Sequence, residues 1–375
     1  MTMASVVADT ADGYRVDLAR GVGEIDREAW NAVVLGGGGS VFHSWEWLAA
    51  FEEAPPGDFE PAHLVAYSGS RLVGICPAYL VHSCPRLDYL WSLSGISPGG
   101  PVLLGHSLAA FSGGPLALAE HGDVIELLVD RMQLSADQLG AWAWGFANLP
   151  RGPLVGRLLG AGHAVAQVTS AHRLETRYRS AQDYWATLPA KRRRKLLRER
   201  RVRLEHVTVT DGMPDTDTLV HLVHTLLTDR STPVDVLPSS FLESVRRHLA
   251  PFERGVIATD HDGATVAVFA GWEFGGEWSA WIAGLDTGVL SSFEPYHPML
   301  AHIVESAIDS GTTVVNLGRA NAMQKRRYGA EGVPLYLTLQ ASDPRQAATL
   351  HAACLRIEDA VRGTDDVVGV VRRCC

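Results

Sequence analysis

The sequence predicts a mixed α/β (α+β) chain built as two halves on one plan, and three observations carry that prediction. A hairpin pattern occurs twice, each copy leads through a loop into a helix and a further strand, and a densely basic segment lies between the copies. At 375 residues the chain is long enough for two domains of roughly 150 residues each. The expected boundaries are 1–180 for the first domain, 181–206 for a basic junction helix and 207–375 for the second.

In the first half, HLVAY (His63 to Tyr67), the turn SGSR and LVGICPAYLVH (Leu72 to His82) read as two strands joined by glycine-containing turn chemistry. A strand at Tyr89 to Leu93 follows, then the loop ISPGGP, a helix over Asp123 to Met132, a strand in AWAWGFANL and an amphipathic helix ending at Gly160 or Gly162. In the second half GVIAT, the turn DHDG and TVAVFAGWEF form the hairpin, and WSAWIAGL adds a third strand. The loop DTGVLSSFEPYH then leads into the helix PMLAHIVESAIDSG, with Pro298 suited to its first turn and Gly311 to its end, and the strand TVVNLG. The strand LYLTLQ and a helix from about Pro344 to Val361 close the pattern.

Composition narrows the function classes. The chain is 46% hydrophobic and 20% charged, with a formal net charge of −9, which suits a globular protein rather than a disordered or fibrous one. Its apolar runs stop short of the ~20 residues a membrane span needs, and MTMASVVADTADGY lacks the basic flank and apolar centre of a signal peptide, so a cytoplasmic location is expected. The five cysteines form no C-x-x-C pair and no zinc-finger spacing. They are expected to be reduced thiols, and no metal is expected.

Positive charge is concentrated in one place. Between Lys191 and Arg203, thirteen residues hold nine basic side chains and one acid, Glu199. The surrounding segment SAQDYWATLPAKRRRKLLRERRVRLEH reads as helical, with Leu188, Leu196, Leu197 and Leu204 as a thin apolar stripe. Like charges at i, i+4 repel by a few tenths of a kcal/mol per pair, so such a run needs neighbouring acids or a polyanion beside it. Either the protein's own carboxylates neutralise it, or Lys191, Arg192, Arg193, Arg194, Lys195 and Arg198 grip a phosphate-bearing partner through counterion release.

Four segments, FHSWEWLAAF, YWATLPAKRRRKLLRERRVRLE, EPYHPMLAHIVESAIDSG and NLGRANAMQKRRYGAEGVPLY, lie in an order and spacing that resemble the GCN5-related N-acyltransferase (GNAT) superfamily. The likeness is to its duplicated members, the Fem-type aminoacyl transferases and cellulose-biosynthesis-type acyltransferases. The resemblance implies two tandem GNAT-like domains, each a mixed, mostly antiparallel sheet flanked by helices and splayed at its middle. It implies an amine attacking an activated acyl carbonyl, with the active site in the second domain.

The resemblance also supplies candidates. QKRRYG resembles the K-x-x-F/Y-G segment that Fem-type enzymes place beside the acceptor site, so Lys325 would hold the acyl carbonyl or an acceptor phosphate; a solvated lysine is the alternative. Tyr296 would donate to an oxyanion, while Glu294 or His297 would take the amine proton. The alternative there is a rigid loop with Tyr296 packed. Arg319, Trp281 and Asp286 are the candidates for binding substrate, although Arg319 equally suits a surface ion pair and the tryptophans at strand spacing are mostly core. The glycine-rich pyrophosphate loop of coenzyme-A-dependent members is missing, since DTGVLSSFEPYH has only Gly288. The expected donor is therefore aminoacyl-tRNA, with acyl-CoA or an acyl carrier protein as alternative, a small-molecule amine as acceptor, and no resident cofactor. A catalytically silent RNA-binding protein of this fold is the third reading.

Overall fold

The computed structural model describes residues 8–9, 13–106, 109–290 and 295–362. Among these, residues 8–169 and 334–362 form one compact unit, and 170–333 form another.

The first unit holds two groups of strands. One is antiparallel throughout, in the order Ala8–Asp9, Tyr14–Ala19, His63–Ser68, Arg71–Cys76, Leu116–Ala117. In the other, Val102–Gly105 runs parallel to Ala143–Phe146, and the pairings of Ala78–Ser83, Asp58–Pro61 and Leu335–Gln340 are antiparallel. The apolar run expected as one strand from Leu72 to His82 is two strands, Arg71–Cys76 and Ala78–Ser83, one in each group. Pro77 between them has no N–H to give a ladder.

A second expectation fails nearby. Tyr89 to Leu93 lies inside a helix, Pro85–Ser94, with Pro85 in its first turn and Gly95 left-handed at its end. Leu87, Leu90, Trp91 and Ser94 are its buried residues, a spacing of three and four that suits only a helix.

The second unit is a mixed sheet. Its strands run in the order Thr208–Asp211, Glu253–Thr259, Thr265–Phe274, Glu277–Leu285, Val314–Asn316 and then the Arg173–Glu175 end of strand Ala164–Glu175. All neighbours are antiparallel except Glu277–Leu285 and Val314–Asn316. The helix Thr216–Asp229 crosses the sheet closely at Gly284, where any Cβ would meet the Leu222 and Val223 backbone at 2.9 Å. The helix Tyr296–Asp309 is buried nearly all round, through Met299, Leu300, Ile303, Val304, Ala307 and Ile308, and forms the core of the unit.

The basic segment is two helices, Ala181–Thr187 and Ala190–Arg203, rather than one. Pro189 drives Leu188 into an extended conformation and ends the first. The expected leucine stripe shrinks to Leu188 and Leu196, because Leu197 and Leu204 are each 39% exposed.

The compact units also differ from the expected boundaries. Residues 170–180 go with the second unit, where Arg173–Glu175 pairs with Val314–Asn316. Residues 334–362 return to the first, where Leu335–Gln340 pairs with the strand Ala143–Pro150 and the helix Pro344–Val361 packs on Pro85–Ser94. The described cysteines, Cys76, Cys84 and Cys354, are buried free thiols; Cys374 and Cys375 lie outside the described residues.

Candidate functional site

The parallel pair in the second unit is joined only briefly. Glu277, Trp278 and Ser279 pair with Val314, Val315 and Asn316, and beyond Ser279 the longer strand runs on to Leu285 without that partner. Sheet edges that part in this way expose backbone N–H and C=O groups for a ligand.

After Val314–Asn316 the chain makes a tight left-handed passage. Gly318, Ala320 and Asn321 have φ of 72°, 56° and 51°, and only the first is a glycine. Non-glycine residues in that region each cost of order 1–3 kcal/mol, a strain that concentrates at functional sites. The passage is pinned by the Leu317 N–H to His172 O at 2.8 Å and the Gly318 N–H to Asn316 Oδ1 at 3.1 Å. It opens into the short helix Ala322–Arg327, which directs Lys325 inward. Lys325 is 3% exposed, and its ammonium donates to the Arg319 carbonyl within the strained passage. A buried ammonium persists only with such acceptors.

Beside this helix lies the start of Tyr296–Asp309. His297 is buried, its ring stacks on Tyr328 at 6.3 Å and 27°, and the Tyr328 hydroxyl donates to the His297 carbonyl at 2.8 Å. The Tyr184 hydroxyl donates in turn to the Tyr328 carbonyl at 2.7 Å. Arg327 reaches the imidazole, with NH1 3.5 Å from Nε2 and 2.8 Å from Gln324 Oε1. Its NH2 donates to Glu199 Oε2 at 2.5 Å. Burial pushes the Glu199 carboxyl up, but the hydrogen bond and charge of Arg327 outweigh it and hold the group below the ordinary carboxylate range.

Glu199 belongs to the basic helix, whose other faces differ sharply. Leu196 is fully buried, and the helix packs on Tyr296–Asp309. Arg200 pairs with Glu305 at 2.6 Å and Arg193 donates to Trp185 O. Lys191, Arg194, Lys195, Arg198 and Arg201 fall on one exposed stripe at spacings of three and four. Of these five only Lys195 has a described acid within 4 Å, Glu199 at 3.9 Å. Lys191, Arg192, Arg198 and Arg201 make no ion pair with a described residue. Carboxylates of the described residues therefore leave the stripe largely unneutralised.

The other candidates are placed as follows. Tyr296 is the first residue of its helix, buried, with its ring 5.3 Å from Phe269 and 6.3 Å from His297. Trp281 is half-buried in a separate aromatic group with Trp272 and Phe241, at 5.2 and 6.0 Å. Asp286 accepts the Gly288 N–H at 2.9 Å, and Arg319 is half-buried in the strained passage. Glu294 lies outside the described residues. The structure thus brings Lys325, Arg319, His297 and Tyr296 around one short helix and one helix start. It adds Glu199, Arg327, Gln324, Tyr328 and Tyr184, which the sequence reading left out. A single acid inside a cationic run was the signal for the first of these.

Residues 190–357 match the Acetyltransferase (GNAT) domain family. Over those residues the chain is similar to a GNAT acetyltransferase domain. Solved structures share the fold along most of the chain. FemX does so with a TM-score of 0.61 at 11% identity, covering 84% of this chain and 96% of that one. L-PGS from Bacillus licheniformis does so at 0.54 and 13%, covering 89% and 97%. A tandem GNAT protein from the clavulanic acid biosynthesis pathway, solved without AcCoA, does so at 0.53 and 11%, covering 88% and 99%. These likenesses carry the duplicated GNAT fold. Comparison with curated proteins finds no match. Among the described residues no helix is long and apolar enough to cross a membrane, and no group of three His, Cys, Asp or Glu is arranged to hold a metal.

Proposed function

We propose that this GNAT protein is an N-acyltransferase that takes an aminoacyl group from aminoacyl-tRNA and forms an amide on an amine of a small molecule or precursor, acting in the cytoplasm. The observation that carries the reading is the stripe of Lys191, Arg194, Lys195, Arg198 and Arg201, exposed and with Glu199 as the one described acid within 4 Å of it. Over about 15 Å of helix it offers cations to a phosphate backbone. A second observation supports it. Gly288 is the one glycine between Asp286 and His297, and its N–H is taken by the Asp286 carboxylate, a negative group where a pyrophosphate would need donors.

In this mechanism the amine nitrogen attacks the ester carbonyl, the C–N bond forms, and the carbonyl oxygen takes the negative charge. Lys325 or Tyr296 steadies that oxyanion. The ester C–O bond then breaks, and the leaving tRNA oxygen takes up the proton that the amine has given to its acceptor. The amine proton goes to Glu294, His297 or water; since His297 Nε2 already faces Arg327, water is the less encumbered acceptor.

A second donor class keeps the same chemistry. The tandem GNAT protein of the clavulanic acid pathway is described with respect to AcCoA, which favours an acyl-CoA or carrier-protein donor as the alternative. The test is product formation by the purified protein with charged tRNA, with and without ribonuclease. Loss of product on ribonuclease treatment supports tRNA as donor. Product that survives the nuclease and requires an acyl thioester supports the alternative, and RNA binding without transfer from any donor supports the silent RNA-binding protein.

A further inference from the structure

Glu199 stands out because it is the one acid in the basic helix and yet pairs with only one of the exposed cations, Lys195. Its side chain is 19% exposed and turned inward, while Arg198 and Arg201 on the outer stripe pair with no described acid. A carboxylate kept only to relieve repulsion along that stripe would lie on it. Instead Glu199 Oε2 holds Arg327, and Arg327 is fixed in two further directions, by Gln324 Oε1 at 2.8 Å and His297 Nε2 at 3.5 Å. An arginine only donates, so Nε2 is the acceptor and the proton of a neutral ring sits on Nδ1. Arg327 is also two residues from Lys325 on the helix Ala322–Arg327. On the other side, Lys195 of the exposed stripe lies 3.9 Å from Glu199 Oε1. One carboxylate thus touches both the phosphate-facing stripe and the arginine that braces the candidate site.

We propose that Glu199 and Arg327 are a positioning pair that couples donor docking on the cationic stripe to the placement of His297 and of the helix bearing Lys325. The proposal rests on the aminoacyl-transfer reading above. A donor phosphate that engages Lys195 draws it away from Glu199 and leaves the carboxylate to Arg327 alone. The Glu199–Arg327 bond tightens, the His297 ring is held in one orientation, and Lys325 is kept on the Arg319 carbonyl. The charged and titratable groups facing Glu199 in this arrangement are Arg327, Lys195 and the His297 imidazole. Neither Glu199 nor Arg327 is assigned contact with the reacting atoms.

The experiment uses the full chain with Glu199→Gln, Arg327→Gln and the double variant. Donor affinity is read by anisotropy with labelled aminoacyl-tRNA, transfer by single turnover, and the His297 ring by long-range imidazole 15N–1H spectra. The expected result is a donor Kd within about twofold of the parent and a transfer rate lower by about 10–100-fold, as misplaced reacting groups give. The double variant should be no slower than the worse single one. The Nε2 resonance should leave the position of an unprotonated acceptor in each variant. Glu199→Asp, with a shorter carboxylate, should recover part of the rate and serves if the Gln variant does not fold. Transfer falling only in proportion to affinity, or an unmoved rate and Nε2 resonance, overturns the proposal. If the parent protein transfers from no aminoacyl-tRNA, the functional reading fails, whereas the Nε2 spectra still decide whether the pair holds His297.

Discussion

Neutralising the exposed stripe is the perturbation whose size follows most directly from the structure. In the variant Lys191→Gln, Arg194→Gln, Lys195→Gln, Arg198→Gln, Arg201→Gln, all five cations of one helix face are removed while Leu196, Arg193 and Arg200, which tie the helix down, remain. Each phosphate contact contributes about 0.9 to the slope of log affinity against log salt, so five contacts give a slope of about −4.5. Between 50 and 200 mM salt the parent protein should lose about 500-fold in affinity for tRNA, and the variant should lose most of that dependence. Folding should not suffer. Five like-charge pairs at i, i+3 or i+4 are relieved at a few tenths of a kcal/mol each, about 1–2 kcal/mol in all, so Tm should hold or rise. The assay is anisotropy of labelled tRNA across a salt series, with thermal unfolding of both proteins. A variant that keeps the parent slope refutes the assignment of this helix to phosphate binding.

Other predictions follow from single residues. Lys325→Met should lower transfer by about 10²–10³-fold, the usual loss when an oxyanion donor goes, and leave tRNA anisotropy unchanged; an unchanged rate removes Lys325 from the chemistry. Leu196 is fully buried, so Leu196→Ala should cost about 2–5 kcal/mol, read as a lower midpoint in urea. Burial holds the His43 imidazole down at about 4. The unfolded chain takes up that proton near 6.5 and the folded protein resists it, so stability should fall as pH drops through that window, by about 3 kcal/mol from this group. His43→Gln should flatten the pH dependence of the urea midpoint between pH 7 and 4, and an equally steep profile would contradict the assignment.

Local patterns in the sequence were readable where a short-range rule governs them. The turn DHDG is such a case, since Asp260 Oδ1 accepts from the N–H groups of Asp262 and Ala264 at 3.0 and 2.9 Å. The strands Glu253–Thr259 and Thr265–Phe274 on either side of it, and the helix Pro344–Val361 with its Asp343 cap, were legible for the same reason. The helix Pro85–Ser94 was not, because Tyr89 to Leu93 taken alone carries aromatic and leucine residues of strand type; the helical period emerges only when Leu87 and Ser94 are included. The return of residues 334–362 to the first unit depends on pairing with Ala143–Pro150, nearly two hundred residues away in sequence on the register Gln340 to Trp144, and no local pattern encodes it. The candidate site divides similarly. Lys325, His297 and Tyr296 were reached through motif resemblance, whereas Glu199 and Arg327 are 128 positions apart and only the fold brings them together. The exposure of the cationic stripe was undecidable from charge counts, because acids elsewhere in the chain were numerous enough to cover it.

The central claim is that a tRNA-borne ester is opened by an amine at the site beside Lys325. It is tested most directly by following label from purified aminoacyl-tRNA into amide product in single turnover, with acyl-CoA as the competing donor. The account predicts that label leaves the tRNA and appears as amide, that acyl-CoA does not replace it, and that the five-glutamine variant loses the reaction as salt is raised to physiological levels. Label that stays on the tRNA while acyl-CoA supports amide formation contradicts it.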